Sequence, residues 1–308
     1  MTAPSLSWSE KALRLLRKMD NFSLPGSGRS RCLKFEVEGV QVGWIPATVA
    51  PVLIRFPQVF TLPQGGAIAL CASLDSYSRR SEALHGVIKT LREENQFTCL
   101  RGWREEKYDV RARYCDSPLM CMERAATSLF GVKRYGVHVN GYTRGPDGEI
   151  TVWLARRSST KQTYPGKLDN LAAGGVAAGV SVTQTLIKEC QEEACIPACI
   201  AETAHPVGTI SYTYEDEEGV FPESQFVFDL ELPAHFRPQI GDGEVQEFFL
   251  YSIEQAKDVL VSEDFKPNCV MVPCVSVPCV TACPAHSYIQ PDSERYYQEF
   301  VAGLHKSL

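Results

Sequence analysis

The sequence predicts an α/β protein in two parts. A smaller α+β unit over residues 1–117 is followed, over 118–308, by a mixed sheet covered by helices. Alternation of apolar and polar residues at period two recurs along the second part, with helical spacing between the alternating segments. No internal repeat or low-complexity tract interrupts this pattern. The 308 residues are 44% hydrophobic and 22% charged, ordinary values for a chain that buries one large or two medium cores.

The elements follow in order. Residues 9–18 have helical spacing, with Ala12, Leu13, Leu15 and Leu16 on one side. Residues 21–30 are rich in Ser, Gly and Pro and read as a loop. Alternation over 33–45 about Glu38-Gly39 reads as a hairpin, and 78–92 as a helix. This first part carries no recognisable chemistry and is expected to be an accessory domain or a structural extension. A short helical stretch is expected over 120–129. Residues 135–142 and 149–155 read as strands joined by the turn Gly145-Pro146-Asp147-Gly148. Further strands are expected over 208–214, 225–232 and 245–251, and helices over 253–260 and 293–305.

Charge and composition exclude several classes. A formal net charge of −6 and the lack of any long Lys/Arg block disfavour nucleic-acid and anionic-membrane partners. No apolar run approaches the roughly 20 residues that span a bilayer. Residues 1–20 read as a polar amphipathic helix without the apolar region of a secretory signal, so a cytoplasmic, reducing location is expected. Of twelve cysteines, Cys269, Cys274, Cys279 and Cys283 crowd together. They lack a C-x-x-C pair, so buried reduced thiols are expected there rather than zinc.

The chemistry-bearing stretch begins at Gly174-Gly175. Ser181, three residues before Gln184, marks a capping box and a helix start. Along that helix Glu189, Glu192 and Glu193 share one side, while Leu186, Ile187, Cys190 and Ala194 face a core. Like charges on neighbouring turns repel unless a cation sits among them, and a hard divalent ion such as Mg²⁺ takes such oxygens. The glycine pair lets backbone pass close to that metal or to a phosphate. A solvated acidic stripe is the alternative.

This stretch resembles the box of the Nudix hydrolases. Laid on Gly174, the family pattern keeps Gly174, Glu189, Glu192 and Glu193 and departs at Val180, Lys188 and Cys195, where the family has Glu, Arg and Gly. The first two departures remove a charge pair that braces the loop, and the third removes a glycine helix cap, implying a different helix exit. A closer resemblance, from about residue 130 onward, is to the Nudix branch associated with thiamine pyrophosphokinase, of fungal and plant type, with an extra N-terminal domain. It rests on Gly136-Val137-His138-Val139-Asn140-Gly141-Tyr142, Arg156-Arg157-Ser158, and residues 161–170, 208–212, 228–233, 242–245 and 266–269. The Cys- and Pro-rich run over 269–283 departs from that branch.

The resemblance implies a Nudix α/β/α sandwich and a small-molecule diphosphate substrate. The expected reaction is metal-dependent hydrolysis of an oxidised or otherwise damaged thiamine diphosphate to the monophosphate plus phosphate. Mg²⁺ (or Mn²⁺) is expected at Glu189, Glu192 and Glu193 and the Gly175 backbone, lowering the pKa of a bound water. Arg156, Arg157 and Lys161 are candidate phosphate clamps. Glu244 is the first candidate general base and Glu247 the second. Tyr164 and Tyr212 are candidate stacking partners for a ring, and Gln225 a candidate reader of its polarity. His138, on a strand, is given no role. Two alternatives stay open: an isopentenyl-diphosphate-isomerase-like enzyme on the same fold, which needs a Cys facing a Glu, and a non-catalytic binding module. The oligomeric state is open.

Overall fold

The computed structural model describes residues 6–62, 66–272 and 296. The chain opens with helix α1 (Trp8–Met19) and then forms the hairpin β1 (Leu33–Val37) and β2 (Val40–Ile45). At the hairpin tip Glu38 and Gly39 have φ of 54° and 74°, the left-handed pair that a tight two-residue turn requires. Next come α2 (Ala50–Leu53), β3 (Phe60–Thr61), β4 (Ala67–Leu70) and α3 (Tyr77–Glu93). The strands form a four-stranded sheet in the order β2-β1-β4-β3. Strands β5 (Lys107–Val110) and β6 (Met120–Glu123) pair as a separate ribbon, followed by the short helix α4 (Thr127–Phe130).

The expected helix over 120–129 is therefore a strand, a 3₁₀ turn and one helical turn. Periodicity cannot separate the two over so short an apolar run. All four β6 residues are buried, and pairing with β5 captures them as a strand.

The second half contains β7 (Arg134–Arg144), β8 (Ile150–Arg157), β9 (Leu168–Asp169), β10 (Ala172–Gly175), α5 (Val182–Ala194), α6 (Ala198–Ala201), β11 (His205–Asp216), β12 (Gly219–Glu231), β13 (Val245–Ser252) and α7 (Ile253–Leu260). Its sheet has seven strands. The path is β11-β12-β7-β8-β13, with β10 added on β7 and β9 on β8. Among the described residues only β12 and β7 of this sheet pair in parallel, so the sheet is mixed, as expected.

Each face of this sheet has its own core. On one, Leu186, Cys190 and Ala194 of α5 pack against Val137, Val139 and Leu230. On the other, Ala12, Leu13, Leu16 and Met19 of α1 pack with Val152, Leu154, Ile210, Tyr212 and Leu260. The first helix of the chain thus closes the sheet of the second half. It begins with a full capping box between Ser7 and Glu10 and ends on Arg17 and Lys18, charges that suit the two ends of its dipole. The core of the four-stranded sheet, centred on Phe35, Ile68 and Leu84, extends to Phe130 and Val132, so residues 120–132 pack with the first part. The expected helix over 293–305 and the thiols Cys274, Cys279 and Cys283 lie outside the described residues.

Candidate active site

Strand β10 lies antiparallel to β7, with Gly174 opposite Val137 and Gly175 opposite Gly136. The chain then loops to Ser181, whose hydroxyl accepts from Gln184 N at 3.2 Å while Gln184 Oε1 accepts from Ser181 N at 3.0 Å. Burial of Leu186, Cys190 and Ala194 fixes the rotation of α5 and turns its glutamates toward β10. Glu193 is buried and accepts from Ala173 N at 2.9 Å. Glu189 lies directly over Gly174, and Glu192 is exposed. Lys188 Nζ stands 3.3 Å from Glu189 and 2.6 Å from Glu192, filling a cationic place between them.

Burial raises the pKa of Glu193 to about 8 and moves Glu189 in the same direction. Glu193 has no cationic side chain within ion-pair distance among the described residues. A buried carboxyl short of a cation, beside two further carboxylates and a side-chain-free backbone, suits a hard divalent ion.

A second group with ligand atoms within 4.8 Å of one another is His138, Asp169 and Cys269. It does not suit a metal, because Asp169 Oδ2 already accepts from Arg157 at 2.9 Å and Lys266 at 3.0 Å. Burial works to raise the Asp169 pKa, but these two cations outweigh it and lower it. His138 shares Nδ1 with Asn170 Oδ1 at 3.0 Å, and burial with the nearby Lys266 charge lowers its pKa to about 4.

The loop before α5 is fastened from outside. Ala178 N donates to the Lys107 carbonyl at 2.8 Å, and Gly179 N donates to Asp109 Oδ2 at 3.2 Å. A Cβ on Gly175 would lie 1.8 Å from the Tyr108 hydroxyl. Strand β5 therefore braces the loop from outside, where Val180 of the loop and Lys188 of α5 stand at the positions of the charge pair that the resemblance implied. At the far end the helix exit differs from expectation. Cys195 takes the left-handed conformation itself, at φ 52°, and Ile196 N closes onto the Cys190 carbonyl at 3.0 Å, the same exit a glycine makes.

A cavity of about 700 Å³ opens between the two parts of the chain. One wall is Gly174, Gly175, Lys188, Glu189 and Glu192; another is Lys161, Tyr164, Asp242 and Glu244; the floor includes His138, Glu223, Gln225, Lys266 and Asn268. The first part supplies a third wall with Arg101, Arg104 and Tyr108, joined by Arg124 from the turn that follows β6.

Most of the expected site residues meet here. Lys161 and Glu244 form an ion pair. Burial works to raise the Glu244 pKa, but Lys161, with Arg104 and Arg157 further off, outweighs it and leaves Glu244 lowered. Arg157 lines the cavity, yet its guanidinium is spent on Asp169 and on the Thr163 and Tyr164 carbonyls, so it holds the loop over 163–164. Tyr164 and Gln225 line the cavity; Gln225 Nε2 donates to Glu223 at 2.7 Å.

Arg156 and Tyr212 fall away from the cavity. Alternation along β8 sends Arg156 to the other face, where it meets the Gly166 carbonyl at 3.0 Å and Asp264 at 2.6 Å. Tyr212 is wholly buried and donates to Glu223 at 2.8 Å. Glu247, opposite Arg156 on β13, is not on the cavity wall either. Of the described cysteines, Cys99 alone lines the cavity, and burial raises its pKa to about 11, a poor nucleophile for isomerase chemistry. Arg104, Tyr108 and Asp109 were not anticipated. They belong to no motif, and the one sequence signal that could have pointed to them is the closely spaced arginine pair in Arg101-Gly102-Trp103-Arg104.

A family profile described as NUDIX domain matches residues 134–269, and one described as Domain of unknown function (DUF4743) matches residues 11–134. The chain is 36% identical to "Nudix hydrolase 24, chloroplastic" of Arabidopsis thaliana over 283 residues, covering 91% of this chain and 75% of that protein. "Nudix hydrolase 20, chloroplastic" of the same plant is 36% identical over 273 residues, covering 86% and 70%. Among solved structures, a C. elegans Ap4A hydrolase is 21% identical with a TM-score of 0.32, covering 41% of this chain and 85% of that chain.

Proposed function

Because this chain belongs to the Nudix hydrolase family, whose members act on diphosphates, we propose that it hydrolyses a small organic diphosphate with Mg²⁺ or Mn²⁺. Oxidised thiamine diphosphate, cleaved to the monophosphate plus phosphate, is the first candidate substrate. The observation that carries this reading is the placement of Glu189 over the side-chain-free Gly174, on the wall of a cavity rich in cations, with Glu193 buried behind it on the Ala173 N–H.

The ion would be held by Glu189, Glu192 and Glu193 beside Gly175, with Lys188 leaving their oxygens. When bound it supplies charge neutralisation at the diphosphate and a more acidic water. Glu244, held ionised by Lys161, accepts the proton of the attacking water, and Lys161 is placed to contact phosphate oxygens as that pair separates. Tyr164 and the floor at Gln225 and Asn268 receive the organic group, which a polar heteroaromatic ring fits better than an alkyl chain. A cytoplasmic location is part of the proposal.

Hydrolysis read by chromatography of the organic products and by phosphate release, with Mg²⁺ and with EDTA, is the test, on thiamine diphosphate, oxythiamine diphosphate, ADP-ribose and dinucleoside polyphosphates, the last two of which split into two phosphate esters without freeing phosphate. Metal-dependent release that is fastest on the oxidised thiamine form is expected. Cleavage of the nucleotide substrates alone would remove the thiamine assignment, and no cleavage of any of them would remove the enzymatic one.

A further inference from the structure

The cations around the cavity are not equivalent. Six of them, Arg124, Arg134, Arg157, Lys161, Lys188 and Lys266, have a carboxylate within ion-pair distance. Arg101, whose Nε turns to Asn95 Oδ1 at 3.0 Å outside the cavity, and Arg104 have none among the described residues, and of the two only Arg104 donates to a residue of the facing wall. Its Nη2 donates only to a neutral acceptor, Gln162 Oε1 at 3.1 Å, on the same loop that carries Lys161. Its backbone is fixed, since Arg104 N donates to the buried Glu123 carboxylate at 3.1 Å. Burial and the neighbouring Arg124 charge both act against its protonation. A guanidinium held beside another guanidinium at a cavity wall, with an amide as its acceptor, is a place where an anion is missing.

We propose that Arg104, carried by the first part of the chain, binds a phosphate of the diphosphate substrate. This rests on the reading that the cavity takes a diphosphate. The planar fork of an arginine matches two phosphate oxygens, and Gln162 is the acceptor it gives up. Strand β5 fixes the geometry, because Lys107, Tyr108 and Asp109, a few residues further along, are the residues fastened to the box loop. The accessory part is thus a substrate-binding wall, and the site is incomplete without it.

The test is a calorimetric titration of the full chain, with Mg²⁺, by methylenediphosphonate, whose bridge cannot be hydrolysed. Arg104→Ala should bind at least tenfold more weakly with an unchanged melting temperature. Arg104→Lys should fall between, keeping the charge and losing the fork. Arg55→Ala, which breaks an exposed pair with Glu94 outside the cavity, should bind like the parent. Equal affinity of Arg104→Ala and parent overturns the proposal, and so does a parent that binds no diphosphonate. Binding that depends on Arg104 in a chain that releases no phosphate from any organic diphosphate would sustain this inference and overturn the proposed reaction.

Discussion

Glu189 and Gly174 occupy one another's space: a Cβ built on the glycine lies 2.1 Å from the Glu189 carboxyl carbon and 2.3 Å from Oε1. A methyl group there meets the far end of a side chain rather than backbone, so the fold tolerates it and the carboxylate moves. Gly174→Ala should therefore lower kcat more than tenfold with a melting temperature close to that of the parent. Steady-state kinetics with a thermal melt checks both halves.

Glu193 and Glu244 separate by role. Glu193→Gln offers the cation a poorer oxygen, so turnover should fall well over tenfold and the rise in melting temperature on adding Mg²⁺ should shrink. Unchanged turnover would move the metal elsewhere. Glu244→Gln should lower kcat more than it raises KM. A change confined to KM would make Glu244 a binding residue.

His138 gives the apo protein a pH dependence of defined sign. Its folded pKa of about 4 lies below the ordinary histidine value of 6.5, so the unfolded chain binds the proton more readily. Stability is full above about pH 6.5 and is lost as pH falls toward 4, by about 3 kcal/mol at most from this one group. Glu193, shifted upward by burial, works in the opposite direction over part of that range. The comparison of parent with His138→Gln isolates the histidine: the variant should lose less stability between pH 7 and pH 4.5 in urea titrations.

Cys195 holds a left-handed conformation that glycine adopts without strain. Its side chain is exposed, so nothing is lost in packing when it is removed. Cys195→Gly should stabilise the protein by up to about 1 kcal/mol, the strain relieved exceeding the extra freedom of the unfolded chain. A melt that is unchanged or lower would mean that the helix exit carries no strain.

The sequence made the second half legible because its signals are local. The capping box at Ser181 and Gln184, the period of the glutamates, and the alternation in β7 and β8 each depend on residues a few positions apart. The cavity's third wall was not legible. Arg104 meets Gln162 across 58 positions, and Asp109 meets Gly179 across 70; no periodicity encodes such pairs. Arg156 shows a third kind of difference. Adjacent arginines on a strand necessarily point to opposite faces, so only one of Arg156 and Arg157 could reach the cavity, and the choice depended on which face of β8 the cavity occupied.

Helix α1 is separated from Ile210, Leu260 and Val270, the residues that cover it, by about 200 residues or more of chain. At a synthesis rate of about 5–20 residues per second, its apolar stripe waits some 10 s or longer for its partners. Through that interval it is an amphipathic helix with an uncovered face in a crowded compartment, the kind of segment that holding chaperones recognise. The sheet it will close stays open on one side until translation has passed residue 270. This face of the sheet is therefore completed last, by segments far apart in the chain, and a product truncated before residue 210 would leave it unsealed.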